Sequence, residues 1–390
     1  AAYVTPLARR AATPVVFAGD SITADSATGT TGHMSSAGAA AIGLYPVGSV
    51  GVATGVSDAG VGGNTSTQLL ARFDTDVIAK NPKLVHILIG TNDASADTPL
   101  ATLAANIRAM IAKCEGIGAQ VVMGTVPPNG TGSPVDRKAL IVAYNQWICR
   151  YAISKGFPVA DYYRVLVDPA TGGYLAAYDS GDHTHPSPAG TGAMAAELAV
   201  AIARPLSSAL LLTKDANDPW NFCRNGLFLS AWGTGWTAPT GTGVTASTTT
   251  GDTNIQGNWG KIVAAGTAAT AASSQNQTTT QGGTGYTAGH RMMFGARVQS
   301  SALSSAQTWS ARVRTTDGAY DLRPGPGGQR IAYTGAGGLV YLREGAAAPT
   351  VSYVQSEVEL AAGTGDVSVA QFTAYDLTAM GVTDTAGNLI

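Results

Sequence analysis

The sequence predicts two domains of different fold class: an α/β domain with a doubly wound parallel sheet, followed by an all-β sandwich. The chain has 390 residues, which is more than one ordinary domain holds. Up to about residue 210 it alternates short apolar runs with helical patterns, whereas no long helical period follows Thr213. We therefore expect domains at residues 1–212 and 213–390, with the boundary in "LLTKDANDPWN".

The first half contains four apolar runs that are typical of buried parallel strands: "PVVFAG", "KLVHILIG", "AQVVMGTV" and "FPVADYY". Apolar residues at helical spacing predict four helices between and after them, at 65–79, 99–114, 136–154 and 189–203. The last helix begins after Ser187 and Pro188, a cap residue and a first-turn proline. Sheets of this kind place their sites at the carboxyl ends of the strands.

The second half shows short alternating stretches such as "RMMFGARVQ" and "VSVAQFTAYDL", which predict an antiparallel β-sandwich similar to a jelly roll. Segments rich in Gly, Thr and Ala between them are interpreted as loops or polar strand edges. This half holds five of the six tryptophans: Trp220, Trp232, Trp236, Trp259 and Trp309. Core packing and stacking on sugars are both open roles for them.

Composition excludes several classes of function. The net charge is −2 and the sequence has no basic stripe, so it lacks the clustered positive charge that nucleic-acid binding requires. No apolar run approaches the length of a membrane span. The low Lys content and the Thr- and Gly-rich surface lead us to expect a secreted or extracellular protein. Cys114, Cys149 and Cys223 fit no zinc site; Cys114 could pair with Cys149, but buried free thiols are the preferred interpretation.

The run "PVVFAGDSIT" takes four apolar residues directly into Gly19, Asp20 and Ser21. A plain turn is one interpretation, because all three are common turn residues. The other is that Ser21 is a nucleophile raised on a tight turn at the end of a strand. That interpretation requires a base, an orienting acid and oxyanion donors elsewhere in the chain.

Partners for Ser21 occur at three further places. "SGDHTHPSPAG" holds Asp182 and His185 three residues apart before a helix, a spacing that lets a carboxylate orient an imidazole. "AGVGGNTS" supplies glycines before a helix, where backbone N–H groups can bind an oxyanion. "IGTND" places Asn92 at the end of a buried strand, with a side-chain N–H to donate. Each pattern alone is an ordinary turn, but all are expected at one edge of the sheet.

This order of motifs resembles the SGNH hydrolases, also called the GDSL esterases and lipases. The four matching stretches are "AGDSIT" (18–23), "AGVGGNTS" (59–66), "IGTND" (89–93) and "DHTHP" (182–186), and the resemblance covers residues 12–205. It implies a flavodoxin-like three-layer α/β/α fold, with Ser21 as nucleophile, His185 as general base and Asp182 as its orienting acid. It further implies oxyanion donors at the backbone N–H groups of Ser21 and Gly63 (with Gly62 the neighbouring alternative) and at the Asn92 side chain.

The sequence departs from the family at Asp58, where many relatives have Asn, which puts the local hydrogen bonding in doubt. His183 is interpreted as a solvent-exposed imidazole, and Asp20 as a scaffold residue of the site. The insertion at 24–50, which includes His33, is expected to form one wall of the cleft.

The resemblance implies a serine esterase that needs no metal or organic cofactor. The insertion is rich in Gly, Ala, Ser and Thr and offers no greasy lid, so we expect a short-acyl, acetyl-type ester as substrate. The appended β-domain makes an acetylated polysaccharide the first candidate. Two alternatives stay open: a general lipolytic or aryl esterase with a structural β-domain, and a glycan-binding or virion-type adhesion protein with an accessory hydrolase domain.

Overall fold

The computed structural model describes residues 14–24, 34, 56–129, 137–203, 208–265, 272–278, 280–281, 284–285, 287, 289–300, 309–315, 318–321, 337–346, 354–360 and 362–390. The chain divides into two units. The first comprises Ala1–Asp168, Gly172–Leu211 and Leu389–Ile390, and the second comprises Pro169–Thr171 and Leu212–Asn388. The insertion expected at 24–50, with His33, lies outside the described residues except for Ala24 and Met34.

The first unit is built on a parallel sheet of five strands in the order β2-β1-β3-β4-β5. The strands are β1 (Val15–Gly19), β2 (Val56–Gly60), β3 (Leu84–Leu88), β4 (Gln120–Gly124) and β5 (Val159–Ala160). The chain passes from β1 to β2 on one side and then to β3 on the other, so the strand order reverses at β1. The crevice at the carboxyl end of β1 is therefore the topological switch point, where α/β sheets bind ligands.

Six helices of the described residues accompany this sheet, and together they confirm the three-layer α/β/α fold. They are α1 (Ser66–Asp76), α2 (Thr91–Ser95), α3 (Leu100–Gly116), α4 (Lys138–Lys155), α5 (Tyr162–Leu166) and α6 (Pro188–Ala203). The apolar spacing in the sequence identified the four longer helices to within three residues at each end. The short helices α2 and α5 were not predicted, because five residues are too few to establish a helical period.

The helices bury the faces that their sequences mark as apolar. In α3 the buried side chains recur every three to four residues: Leu100, Leu103, Ala104, Ile107, Met110, Ile111 and Cys114. The core of this unit joins Val15 and Phe17 of β1 to Met194 and Leu198 of α6. Cys114, Cys149 and Cys223 are all buried free thiols, which agrees with the preferred interpretation of the sequence.

The second unit consists of antiparallel strands. One sheet has the order β14-β11-β16-β7-β6, a second has the order β13-β12-β15-β8, and β9 pairs with β10. The strands are β6 (Val244–Thr249), β7 (Trp259–Ala264), β8 (Ala272–Thr278), β9 (Thr280–Gln281), β10 (Thr284–Gly285), β11 (Arg291–Gln299), β12 (Trp309–Thr315), β13 (Gly318–Asp321), β14 (Leu339–Ala346), β15 (Val354–Leu360) and β16 (Gly365–Asp376).

Both large sheets contribute to one apolar core, which makes this unit a β-sandwich. Phe294 and Phe372 come from one sheet, and Val358 and Leu360 come from the other. Trp236 and Trp259 are core residues with 2% of their surface exposed, so stacking on a sugar is excluded for them in this conformation. Trp220 and Trp232 are half-buried. The side chain of Trp309 lies outside the described part of the chain.

Candidate active site

Ser21 lies on a tight turn at the carboxyl end of β1. The backbone N–H groups of Thr23 and Ala24 donate to the carbonyl of Asp20 at 3.2 and 3.0 Å. The Asp20 carboxylate accepts from the N–H of Ile22 at 3.0 Å. Gly19 is required before the turn, because a Cβ there would lie 2.3 Å from the carbonyl oxygen of Leu88. Ser21 is thus half-exposed on a turn whose other residues, Asp20, Ile22 and Thr23, are buried.

Asp182 and His185 lie on a short hairpin that leads into α6. Asp179 and Pro186 form an antiparallel bridge, and the N–H of Ser180 donates to the carbonyl of His185 at 3.1 Å. At the start of α6 the N–H of Gly190 donates to the Ser187 hydroxyl at 3.2 Å, as the predicted cap requires. Strand-type bonds therefore close the hairpin at its base, and the helix cap at Ser187 follows directly.

The structure brings these two elements together as a continuous hydrogen-bonded chain. Ser21 Oγ lies 2.8 Å from His185 Nε2. The other ring nitrogen, His185 Nδ1, lies 2.6 Å from Asp182 Oδ2. Such a geometry lets an imidazole accept a proton from a hydroxyl while a carboxylate fixes its tautomer.

Asp182 is held as a carboxylate by its neighbours. Partial burial by itself raises the pKa of Asp182, but hydrogen bonds from the His185 backbone and ring, the Thr184 N–H and the Ser180 hydroxyl outweigh it. The net effect holds the pKa of Asp182 well below its usual range. The carboxylate can therefore orient His185 at any pH near neutrality.

Asp20 has the opposite electrostatic environment. Its Oδ2 atom is buried, and no hydrogen-bond partner for it is found among the described residues. Burial raises the pKa of Asp20 to about 7, although the Ile22 N–H and the charge of His185 oppose the shift. Asp20, the residue before Ser21, therefore changes charge near neutral pH.

The three predicted oxyanion donors follow three neighbouring strands: Ser21 follows β1, Gly63 follows β2 and Asn92 follows β3. Gly63 adopts a φ of 78°, a left-handed conformation that favours glycine. Its neighbour Gly62 lies beside the nucleophile, because a Cβ on Gly62 would be 3.9 Å from Ser21 Cβ. Asn92 is the second residue of α2 and donates from Nδ2 to the carbonyl of Asn64 at 3.1 Å. The Gly loop and the Asn92 side chain are thus in direct contact.

Sequence reasoning missed Arg72, which together with Asp93 holds this loop in place. Asp93 accepts from the N–H and the hydroxyl of Ser66 at 2.7 and 2.6 Å, which fixes the start of α1. Arg72 of α1 donates to the Asn64 side chain at 2.8 Å and to the carbonyl of Gly19 at 3.0 Å. No local pattern marks these pairs, since the partners are distant in sequence.

Two further expectations concern the rest of the site. Asp58, the departure from the family pattern, accepts from the N–H of Gly60 at 2.8 Å, so a carboxylate makes the local hydrogen bond.

The side chain of His183 is 39% exposed and also pairs with a carboxylate: its Nδ1 lies 2.6 Å from Asp179 Oδ2. The hairpin therefore holds two Asp–His pairs, and among the described residues it is the histidine of the second pair, His185, that is hydrogen-bonded to Ser21.

Within the described residues, no cluster of three or more His, Cys, Asp and Glu side chains has the arrangement that a metal ion needs. A separate observation concerns the helices: none in the described ranges combines the length and apolar character of a membrane span.

A Ser–His–Asp chain at the switch point of a three-layer α/β/α unit is the arrangement of a serine hydrolase. The model of the GDSL-like lipase/acylhydrolase family matches residues 17–193. This part of the chain therefore belongs to that family, and the protein is an ester hydrolase.

Two solved structures illustrate the similarity. A GDSL-like lipase from Bacteroides thetaiotaomicron is 26% identical, with a TM-score of 0.39, over 52% of this chain and 92% of that one. A catalytic mutant of an acetylxylan esterase from Geobacillus stearothermophilus is 23% identical, with a TM-score of 0.38, over 48% of this chain and 93% of that one. No curated protein matches the chain.

Proposed function

We propose that the protein hydrolyses short-acyl esters, acetyl esters first among them, with Ser21, His185 and Asp182 as its catalytic triad. The observation that carries the proposal is the hydrogen-bonded chain from Ser21 Oγ to His185 Nε2 and from His185 Nδ1 to Asp182 Oδ2. Ser21 is the nucleophile, His185 the general base and acid, and Asp182 the group that orients the imidazole.

The reaction proceeds in two halves. Ser21 Oγ attacks the ester carbonyl carbon while its proton passes to His185 Nε2. The alcohol then leaves with that proton, and the acyl group remains on Ser21. A water molecule next gives a proton to His185 and attacks the acyl carbon; Ser21 recovers the proton and the carboxylic acid departs. In both halves the oxyanion is stabilised by the N–H groups of Ser21, Gly63 and Asn92.

The alcohol side of the substrate is proposed to be a carbohydrate. Support comes from the second unit, whose strand order is consistent with a jelly roll. If β7, β8 and β11–β16 are taken as eight consecutive strands, the first, third, sixth and eighth share one sheet and the others share the second. Jelly rolls are common among lectin domains. Of the tryptophans whose side chains are described in that unit, Trp220 and Trp232 are half-buried, so both keep ring surface for contact with a sugar.

Hydrolysis of p-nitrophenyl acetate, butyrate and octanoate by wild type and Ser21→Ala tests the proposal, together with acetate release from acetylated xylan. We expect acetate-selective turnover that Ser21→Ala abolishes while the protein stays folded. A preference for octanoate would support the lipolytic alternative. Wild-type rates in Ser21→Ala would overturn the triad, and acetate-selective turnover without release from xylan would overturn the carbohydrate assignment.

A further inference from the structure

Arg72 contacts both the strand that precedes Ser21 and the loop that carries Gly63, two of the proposed oxyanion donors. It belongs to α1, and its side chain is 19% exposed. The guanidinium donates from Nη2 to the carbonyl of Gly19, two residues before Ser21, at 3.0 Å. It also donates from Nε to Asn64 Oδ1, one residue after Gly63, at 2.8 Å. One planar group therefore ties the strand that carries the nucleophile to the loop that carries Gly63.

Asn92, the third proposed donor, is hydrogen-bonded to the same loop. The carbonyl of Asn64 accepts one side-chain N–H of Asn92 at 3.1 Å. The carbonyl of Gly19 also accepts the N–H of Val61, at the start of the Gly loop, at 3.2 Å. Asn64 thus faces Arg72 with its side chain and Asn92 with its backbone. Any shift of the guanidinium would move both Gly63 and the acceptor that orients Asn92.

We propose that Arg72 is a positioning residue for the oxyanion hole, acting through Asn64 and Gly19 to set the spacing of the Ser21, Gly63 and Asn92 donors. The inference rests on the proposed function, because it concerns the same acyl transfer. Oxyanion stabilisation depends on donors held in place before the reaction. A displacement of about 1 Å can cost about 100-fold in rate.

Shape, rather than charge, is the property that this role needs. The positive charge of Arg72 is already paired with Asp76 Oδ2 at 2.8 Å on the same helix. What Asn64 and Gly19 require is a rigid fork with donors in two directions, which lysine does not supply. Arg72→Lys should therefore behave like Arg72→Met, although lysine retains the charge.

The test measures kcat and KM of the full chain on p-nitrophenyl acetate for wild type, Arg72→Lys and Arg72→Met. We expect kcat to fall by about 10- to 100-fold in both variants, with KM changed less than about twofold. Inactivation by a fluorophosphonate, whose phosphoryl oxygen takes the oxyanion position, should slow in parallel. Lys113→Met is the matched control: Lys113 pairs at the surface with Asp74 of α1, the helix that carries Arg72, at 2.7 Å, and this variant should have wild-type activity.

A second variant separates positioning from folding. Asn64→Ala removes the Oδ1 acceptor of Arg72 but keeps the backbone carbonyl that binds Asn92. It should lower kcat, and Asn64→Asp, which restores an acceptor, should recover it. If the Arg72 variants lower thermal stability but match wild type in kcat and inactivation rate, or if Asn64→Ala has wild-type kcat, the inference is wrong. Absence of Ser21-dependent turnover in wild type would overturn the proposed function and this inference with it.

Discussion

The side chain of Asn92 has two amide N–H groups, and they have different roles. One of its two amide N–H groups is donated to the carbonyl of Asn64. In the proposed mechanism the other stabilises the oxyanion. Asn92→Ala should lower kcat by about 10²–10³, the usual cost of one oxyanion donor, with little change in KM. Steady-state kinetics check this, with Asn217→Ala in the second unit as a control. An unchanged kcat would remove Asn92 from the donor set.

The two Asp–His pairs of the hairpin offer an internal control at the same scale. Asp182 and Asp179 each lie 2.6 Å from a histidine Nδ1, but only His185 also contacts Ser21. Asp182→Asn should lower kcat by about 10⁴, because an amide favours the wrong imidazole tautomer. Asp179→Asn should change kcat by less than about threefold, since the amide oxygen can still accept the N–H groups of Gly181 and His183 and only the His183 ring loses its carboxylate partner. Equal losses of kcat in the two variants would mean that Asp182 stabilises the hairpin but does not orient a catalytic His185.

At the scale of elements, the approach of α6 to the rest of the first unit holds the hairpin in register. Gly190, in the first turn of α6, has no room for a side chain: a Cβ would lie 2.7 Å from the carbonyl oxygen of Tyr178 and 3.1 Å from Pro186 Cβ. Gly192, two residues later, has nothing within 4 Å of such an atom. The same helix thus contains one glycine that packing requires and one that it does not.

This difference predicts opposite effects of the same substitution. Gly190→Ala should destabilise the protein by about 1–3 kcal/mol through overpacking and lower kcat by displacing His185. Gly192→Ala should stabilise it by about 0.5–1 kcal/mol, because alanine is the better helix former. Urea unfolding of both variants, with kcat measured beside it, checks the pair. A stable and fully active Gly190→Ala would show that the contact with Tyr178 does not position the hairpin.

The elements also show which parts of the molecule could be predicted. The apolar spacing in α3, the cap at Ser187 and the polar ends of the strands are local signals, so helices and candidate site residues followed from the sequence. Arg72 carries no such signal, and no local pattern identifies Ser66 as the partner of Asp93. Arg72 contacts Gly19, 53 residues away, and Asp93 contacts Ser66, 27 residues away. Such contacts exist only once the chain has folded.

At the scale of the whole molecule, two buried groups set opposing pH dependences of stability. Burial raises the pKa of Asp20 from 3.8 to about 7 and lowers the pKa of His86 from 6.5 to about 3. Between about pH 4 and 6.5 the folded state therefore holds more protons than the unfolded state at Asp20, and fewer at His86. As the pH rises over this interval, Asp20 lowers the free energy of unfolding and His86 raises it. The two contributions therefore nearly cancel.

When one of the two groups is removed, the pH dependence of the free energy of unfolding that the other group causes should become measurable. Relative to wild type, Asp20→Asn should gain stability as pH rises from about 4 to 6.5, by up to about 1.4 kcal/mol per pH unit. His86→Asn should lose stability over the same interval with a similar slope, while every other titrating group is common to all three proteins. Urea unfolding followed by far-UV circular dichroism, which reports the helices of the first unit, measures this at several pH values. Parallel stability curves for wild type and both variants would contradict the burial of charge at these two positions.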